Sequence, residues 1–316
     1  MPTDLPKPSQ PSFEGRFIYG GEWGEKNGQG GLHAITGHTW HNIIPPDKYW
    51  ATHPEYYSLN NGKRTRIAYG VGQLCTTNPA VIRIFADYCI EFFRTHPTKC
   101  LGVASNAGTD WCECENCRAL DVVESSVTDR IIAFYNAVAR RVRAAGYGDR
   151  YLVFLAYNNM TEPPVEFKPD PMLVPQICRW VGYESYGEGI EADLKLKAVF
   201  EGWGKLCPIV ATWDYWGNWQ WPWFFPNVTS MRRDFPFYKK NNVKVVYSDT
   251  AACWATQGLN IWLAAQLSLN ADADVDALVE DYCKGMFHKA APAMLRFYKL
   301  LEDNADRLPS SHTRDG

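Results

Sequence analysis

Four kinds of side chain in this sequence could do chemistry. The densest group lies in the stretch 99–121, KCLGVASNAGTDWCECENCRALD, where Asp110, Trp111 and three cysteines fall within eight residues. Cys112, Cys114 and Cys117 form a CxCxxC pattern, and Cys75 is the natural fourth ligand for a tetrahedral zinc site that would brace the loop. A reduced thiol cluster and a disulfide within the loop are the alternatives. The second group is carboxylates at the ends of apolar runs: Asp214 after PIVATW, Asp249 after VKVVY, and Asp110 in the cysteine loop, with Glu184 and Glu22 behind them. Such a placement suits acid and base work, and a loop-capping role is the competing reading of each. The third is His33, His38 and His41; they lack HExxH spacing, so hydrogen bonding to substrate hydroxyls by His38 and His41, or plain loop structure, is preferred over a metal. The fourth is Arg179, a fork for a carboxylate such as that of a uronic acid, with a surface or internal ion pair as its alternative.

Thirteen Trp and seventeen Tyr exceed the ordinary needs of a core, and many sit in loops, where aromatic faces suit sugar rings. Trp111, Tyr157, Trp180, Tyr215, Trp216 and Trp254 are the candidate platforms, with structural packing as the competing reading of each, Trp40 beside the histidines and Asn106 as a polar binder.

Positioning these groups requires strands that end in loops. The alternation predicts strands over 13–19, 101–104, 151–157, 172–180, 208–213 and 241–247. Helices are expected after the Asn78-Pro79 start, after a capping-box-like Ser126 to Asp129, over 191–206, and in three pieces from 259 to 303. Strand ends that deliver Asn106, Tyr157, Arg179, Asp214 and Asp249 predict a parallel α/β architecture, a (β/α)8 TIM-like barrel. Only six or seven strands are countable, so the barrel reads as incomplete at its N-terminus or as hiding a strand. One domain is expected over 13–304, between flexible segments at 1–12 and 305–316.

The 46% hydrophobic and 21% charged composition supports a sizeable core. The net charge of −3, with Asp110, Glu113 and Glu115 beside the cysteines, argues against nucleic acid, and no run is long enough to span a bilayer. Residues 1–12 read as neither signal peptide nor membrane helix. Ten cysteines without a secretory framework fit reducing, cytoplasmic surroundings; a mature piece of an exported protein is the alternative.

GHTW (37–40), PP.KYW..HPEYY.L..GKR (45–64), QLC..NP (73–79), NxGxxWCECENCRALD (106–121), WDY (213–215) and AAPAM..FY (290–298) together resemble the bacterial domain-of-unknown-function family 4838. The resemblance spans roughly 30–303 and implies a TIM-barrel glycoside hydrolase, distantly similar to α-glucuronidases and β-hexosaminidases. Two carboxyl groups would then cleave an oligo- or polysaccharide, with Asp214 and Asp249 leading and no cofactor needed for catalysis. Family members carry Asp after the strand-end Asn, where this sequence has Ala107, and they are longer at the N-terminus. That departure implies an activity weakened or lost, or taken over by Asp110. The alternative is a catalytically silent carbohydrate-binding protein of the same fold.

Overall fold

The computed structural model describes residues 10–68, 71–179, 193–217, 224, 227–250 and 253–304. In chain order its elements are β1 (Gly15–Phe17), α1 (Gly21–Lys26), β2 (Gly30–Gly31), α2 (Trp40–Ile43), α3 (Pro46–Tyr49), β3 (Leu59–Asn60), β4 (Lys63–Arg64), α4 (Pro79–Thr95), β5 (Cys100–Gly102), α5 (Glu115–Arg118), α6 (Thr128–Ala144), β6 (Tyr151–Ala156), β7 (Leu173–Cys178), α7 (Leu194–Leu206), β8 (Val210–Trp213), α8 (Val228–Lys240), β9 (Val243–Tyr247), α9 (Trp254–Leu269), α10 (Val275–Phe287) and α11 (Ala291–Asp303). The chain forms two compact units. One comprises residues 1–32, 178–201 and 211–316, the other residues 33–177 and 202–210.

In the unit built on 33–177, β5, β6 and β7 run parallel, with Leu101 beside Leu152 and Leu152 beside Leu173. Continuous burial along β6 and β7 explains their unbroken apolar runs, since a parallel sheet is covered on both faces. Asn78 caps α4 by accepting from the Ala80 N–H, and Pro79 occupies the first helical position. The helix turns Val81, Phe85, Cys89 and Phe93 inward. Phe85 meets Phe134 of α6 edge-to-face at 5.1 Å, and Trp40 meets Phe134 at 5.6 Å. Burying each such ring stabilises the unit by roughly 1.5–3 kcal/mol.

Asp129 does not complete the expected capping box. It lies inside α6 and accepts the backbone N–H groups of Val165, Glu166 and Phe167, pinning that loop. The Asn61-Gly62 pair, both at positive φ, closes the β3–β4 hairpin as a tight turn of primed type requires.

In the other unit β1 pairs parallel with β9 and antiparallel with β2. Gly15 is required there, because a Cβ would stand 2.2 Å from the Leu32 carbonyl oxygen. Helix α9 is buried continuously from Gln257 to Ser268, so its sequence shows no amphipathic stripe. Phe235 of α8 stacks on Trp216 at 4.9 Å and meets Phe13 edge-on.

The expected (β/α)8 TIM-like barrel is overturned. Among the described residues the main sheet has seven strands, one of them antiparallel, in an order that is open at β2 and β5. The fold is α/β, but the ring is not closed. The two-residue strand β2 returns beside β1 after α1 and pairs antiparallel with it, Gly15 facing Gly31. No described helix is long and apolar enough to cross a membrane.

Candidate functional site

Strands β8 and β9 end side by side. Asp214 and Ser248 form a parallel bridge, and the Asp249 N–H donates to the Asp214 carbonyl at 2.8 Å. Side chains alternate along a strand, so Ser248 turns inward and Asp249 faces the other way. Ser248 is buried, and its Oγ accepts the Trp216 N–H at 2.9 Å. Asp249 is only half-buried, and burial raises its pKa above the ordinary aspartate value.

Asp214 is fully buried. Its Oδ2 accepts from the Tyr238 hydroxyl at 2.8 Å, and its Oδ1 lies 3.4 Å from Arg179 Nη1. The same Arg179 nitrogen donates to Asp234 at 2.6 Å. Burial pushes the Asp214 carboxyl up to about 6, with Arg179 and the Tyr238 hydroxyl pulling in the other direction. Arg179, expected to grip a substrate carboxylate, is itself fully buried and holds two carboxylates of its own chain. Its internal ion-pair alternative is the one present.

Asp234 and Tyr238 were missed in sequence. Their signal was present: they fall at i+3 and i+7 from Met231 on the buried stripe of α8, where polar residues have no reason to lie unless they have partners.

One aromatic group lies close to Asp249 in the chain and the sheet. Phe17 pairs with Tyr247, so the residues just beyond β1 and β9, Tyr19 and Asp249, emerge at the same end. Tyr19 meets Trp254 at 5.1 Å and Trp23 meets Trp254 at 4.9 Å, all three rings half-buried. Trp254 is thus a partly open platform. Tyr19 and Trp23 were not singled out in sequence because Tyr19 reads as the last residue of a strand and Trp23 lies in the Gly-rich stretch 20–31, which has no periodicity. Glu22 is exposed and paired with Lys26.

Trp111, Tyr215 and Trp216, expected as platforms, and Trp40 are packing groups. Tyr215 and Trp216 are buried. Trp40 is fully buried, donates from its indole to the Val103 carbonyl at 2.9 Å, and offers no face to a ligand. Trp111 is 7% exposed and donates to Asn159 Oδ1 at 2.8 Å. Trp180 and Glu184 lie outside the described residues.

In the unit of 33–177, the loops after β5 and β6 bring together four further expected residues. His38 Nδ1 lies 2.6 Å from the Ser105 carbonyl, His41 Nδ1 lies 3.2 Å from Asn106 Oδ1, and the His38 ring stands 6.4 Å from Tyr157. A carbonyl accepts only, so His38 carries its proton on Nδ1 and turns Nε2 into an acceptor. Burial lowers the His38 pKa, which keeps the ring neutral. Ala107 lies in the same loop, its carbonyl accepting from Asn158 Nδ2 at 3.4 Å. Asp110 is exposed and accepts the Gly72 N–H at 3.2 Å.

The four cysteines converge. The sulfurs of Cys75, Cys112, Cys114 and Cys117 lie within 4.8 Å of one another, so the group could hold a metal ion. Cys75 Sγ is 3.7 Å from Cys114 Sγ and 3.9 Å from Cys117 Sγ, and none of these four cysteines forms a disulfide. Polar groups turn towards the sulfurs: the Leu59 N–H donates to Cys112 at 3.4 Å, Arg64 Nη1 stands 3.8 Å from Cys112, and the Thr77 hydroxyl stands 3.2 Å from Cys117. Hydrogen bonds from Cys112 and Cys75 push the Cys117 thiol well down, while the same contacts push Cys75 up. Deprotonated, these sulfurs take the thiolate form that ligates metals.

No curated protein matches the sequence. A family model described as "Domain of unknown function (DUF4838)" matches residues 14–299, nearly the full length, and the chain belongs to that family.

Proposed function

We propose that this chain hydrolyses glycosidic bonds of an oligo- or polysaccharide, with Asp249 as the proton donor to the leaving oxygen. The observation that carries the reading is the state of Asp249: a half-buried carboxyl at a strand end, its pKa raised by burial. A general acid must hold its proton near the working pH, and desolvation is the means. The Tyr19–Trp23–Trp254 group supplies the apolar face on which a sugar ring would stack. Asp214 is not the second carboxyl group, since its oxygens are engaged by Tyr238 and Arg179.

A carbohydrate-binding protein without turnover is the second reading. It is favoured by Ala107, and by the full burial of Asp214, which leaves Asp249 as the one leading carboxyl that is partly exposed. Incubation with uronic-acid- and hexosamine-containing oligosaccharides separates the two. New reducing ends support hydrolysis; binding by calorimetry with no new reducing ends supports the second reading.

The ion suited to the cysteine group is zinc in a structural role. Four sulfurs about 2.3 Å from a central zinc would stand about 3.8 Å apart, and the two Cys75 separations of 3.7 and 3.9 Å fit that spacing. Four thiolates leave no coordination position for a substrate or water, so the ion would brace the loop and take no part in the reaction. The nearby Arg64 guanidinium and hydrogen-bond donors would offset the negative charge of such a centre.

A further inference from the structure

The segment 72–75 and the loop 106–117 are fastened to each other at two places. Cys75 meets Cys112, Cys114 and Cys117 at the metal-binding group. Two residues earlier, the fully buried Gln73 amide grips the start of the same loop. Its Nε2 donates to the Asn106 carbonyl at 2.8 Å and to the Gly108 carbonyl, and its Oε1 accepts the Asn106 N–H at 3.2 Å. The Asn106 side chain is held in turn, donating from Nδ2 to the Gly72 carbonyl at 3.0 Å. That bond fixes which way the amide faces, so Oδ1 is the atom presented to His41 Nδ1 at 3.2 Å. An amide oxygen only accepts, hence His41 donates from Nδ1, and in its neutral form Nε2 is the acceptor.

We propose that the metal centre positions His41. With the ion bound, Cys75 and the cysteine loop are locked in register, Gln73 holds Asn106, and Asn106 keeps His41 in one orientation and one tautomer. Loss of the ion loosens the loop, and His41 samples both tautomers. Gln73 and Asn106 are positioning residues in this chain of contacts, and the chemistry they prepare is an imidazole acceptor for a hydroxyl group. The inference rests on the zinc reading above and stands apart from the assignment of Asp249.

The test is nitrogen-15 NMR of histidine-labelled full chain, because imidazole nitrogen shifts report the tautomer directly. The His41 signals are assigned by their loss in His41→Gln. Elemental analysis first measures zinc in the protein as isolated under reducing conditions. One zinc per chain with His41 in a single Nδ1–H tautomer is expected. Chelation should average the tautomers while circular dichroism stays unchanged. Gln73→Leu should keep one zinc per chain and still average the tautomers.

If chelation unfolds the chain, Cys114→Ser replaces it, since Cys114 is the least buried ligand. The averaged fraction of His41 should then follow the metal-free fraction. An unchanged His41 signal in the metal-free folded chain, or in Gln73→Leu with zinc retained, overturns the proposal. Absence of any bound metal overturns the zinc reading and this inference together, and elemental analysis identifies that outcome by itself.

Discussion

Asp214 and Asp249 leave neighbouring parallel strands at the same end, joined by a 2.8 Å backbone hydrogen bond, yet they live in opposite surroundings. Asp214 turns inward onto α8, where Tyr238 engages one oxygen and Arg179 stands by the other, while Arg179 also holds Asp234. Asp249 turns outward, and burial alone shifts its pKa. Both carboxyls are raised, but in different settings: one belongs to a buried ion network, the other is a half-buried group that the proposed reaction would use as its proton store. A strand-end carboxylate is therefore not a catalytic candidate by position alone. What the adjacent helix aims at it decides.

The contrast is most sharply broken by removing one charge at a time. Asp214→Asn should destabilise the fold by about 1–3 kcal/mol, the usual cost of leaving a buried hydrogen-bonding group unsatisfied, because its amide cannot accept from both Tyr238 and Arg179 while Arg179 keeps Asp234. Asp249→Asn should leave stability within about 0.5 kcal/mol. Urea unfolding measures both, and equal losses would erase the distinction.

The pH dependence sharpens it further. The folded Asp214 carboxyl titrates near 6, above its ordinary value of 3.8. Its contribution to stability is thus fully present below the unfolded value and is lost as pH rises through about 6. Asp214→Asn should flatten that segment of the stability profile. Asp249 should instead govern turnover, which falls as rising pH removes the proton of the general acid; Asp249→Asn should abolish that limb of the rate profile. The smallest effect is expected at the platform. Trp254→Ala should raise KM roughly tenfold, equivalent to about 1.4 kcal/mol, with kcat little changed. A loss confined to kcat would place Trp254 elsewhere in the mechanism.

Much of this was legible in sequence where the signal is local. Asn78-Pro79 starts α4, the apolar runs are strands, and Cys75 joins the CxCxxC group from thirty-seven residues before Cys112, because ligand type and loop context are visible without geometry. The closed barrel was not there, because strand direction and ring closure are set by pairing between distant segments. Trp40 and Trp216 misled for a related reason: a tryptophan beside Gly, His or Asp looks like a loop platform until packing shows a full set of neighbours. Arg179 is the clearest case. The same guanidinium fork suits a substrate carboxylate or two internal ones, and only the fold of α8 under it distinguishes them.

The central claim, that Asp249 donates the proton, is tested most directly by a leaving-group comparison. Wild type and Asp249→Asn are assayed on an unactivated oligosaccharide and on the dinitrophenyl glycoside of the same sugar. A general acid matters only where the departing oxygen needs a proton. The variant is expected to lose roughly 10²–10⁴-fold in kcat/KM on the unactivated substrate and to keep near wild-type activity on the dinitrophenyl glycoside. Equal losses on both, or none on either, would contradict the assignment.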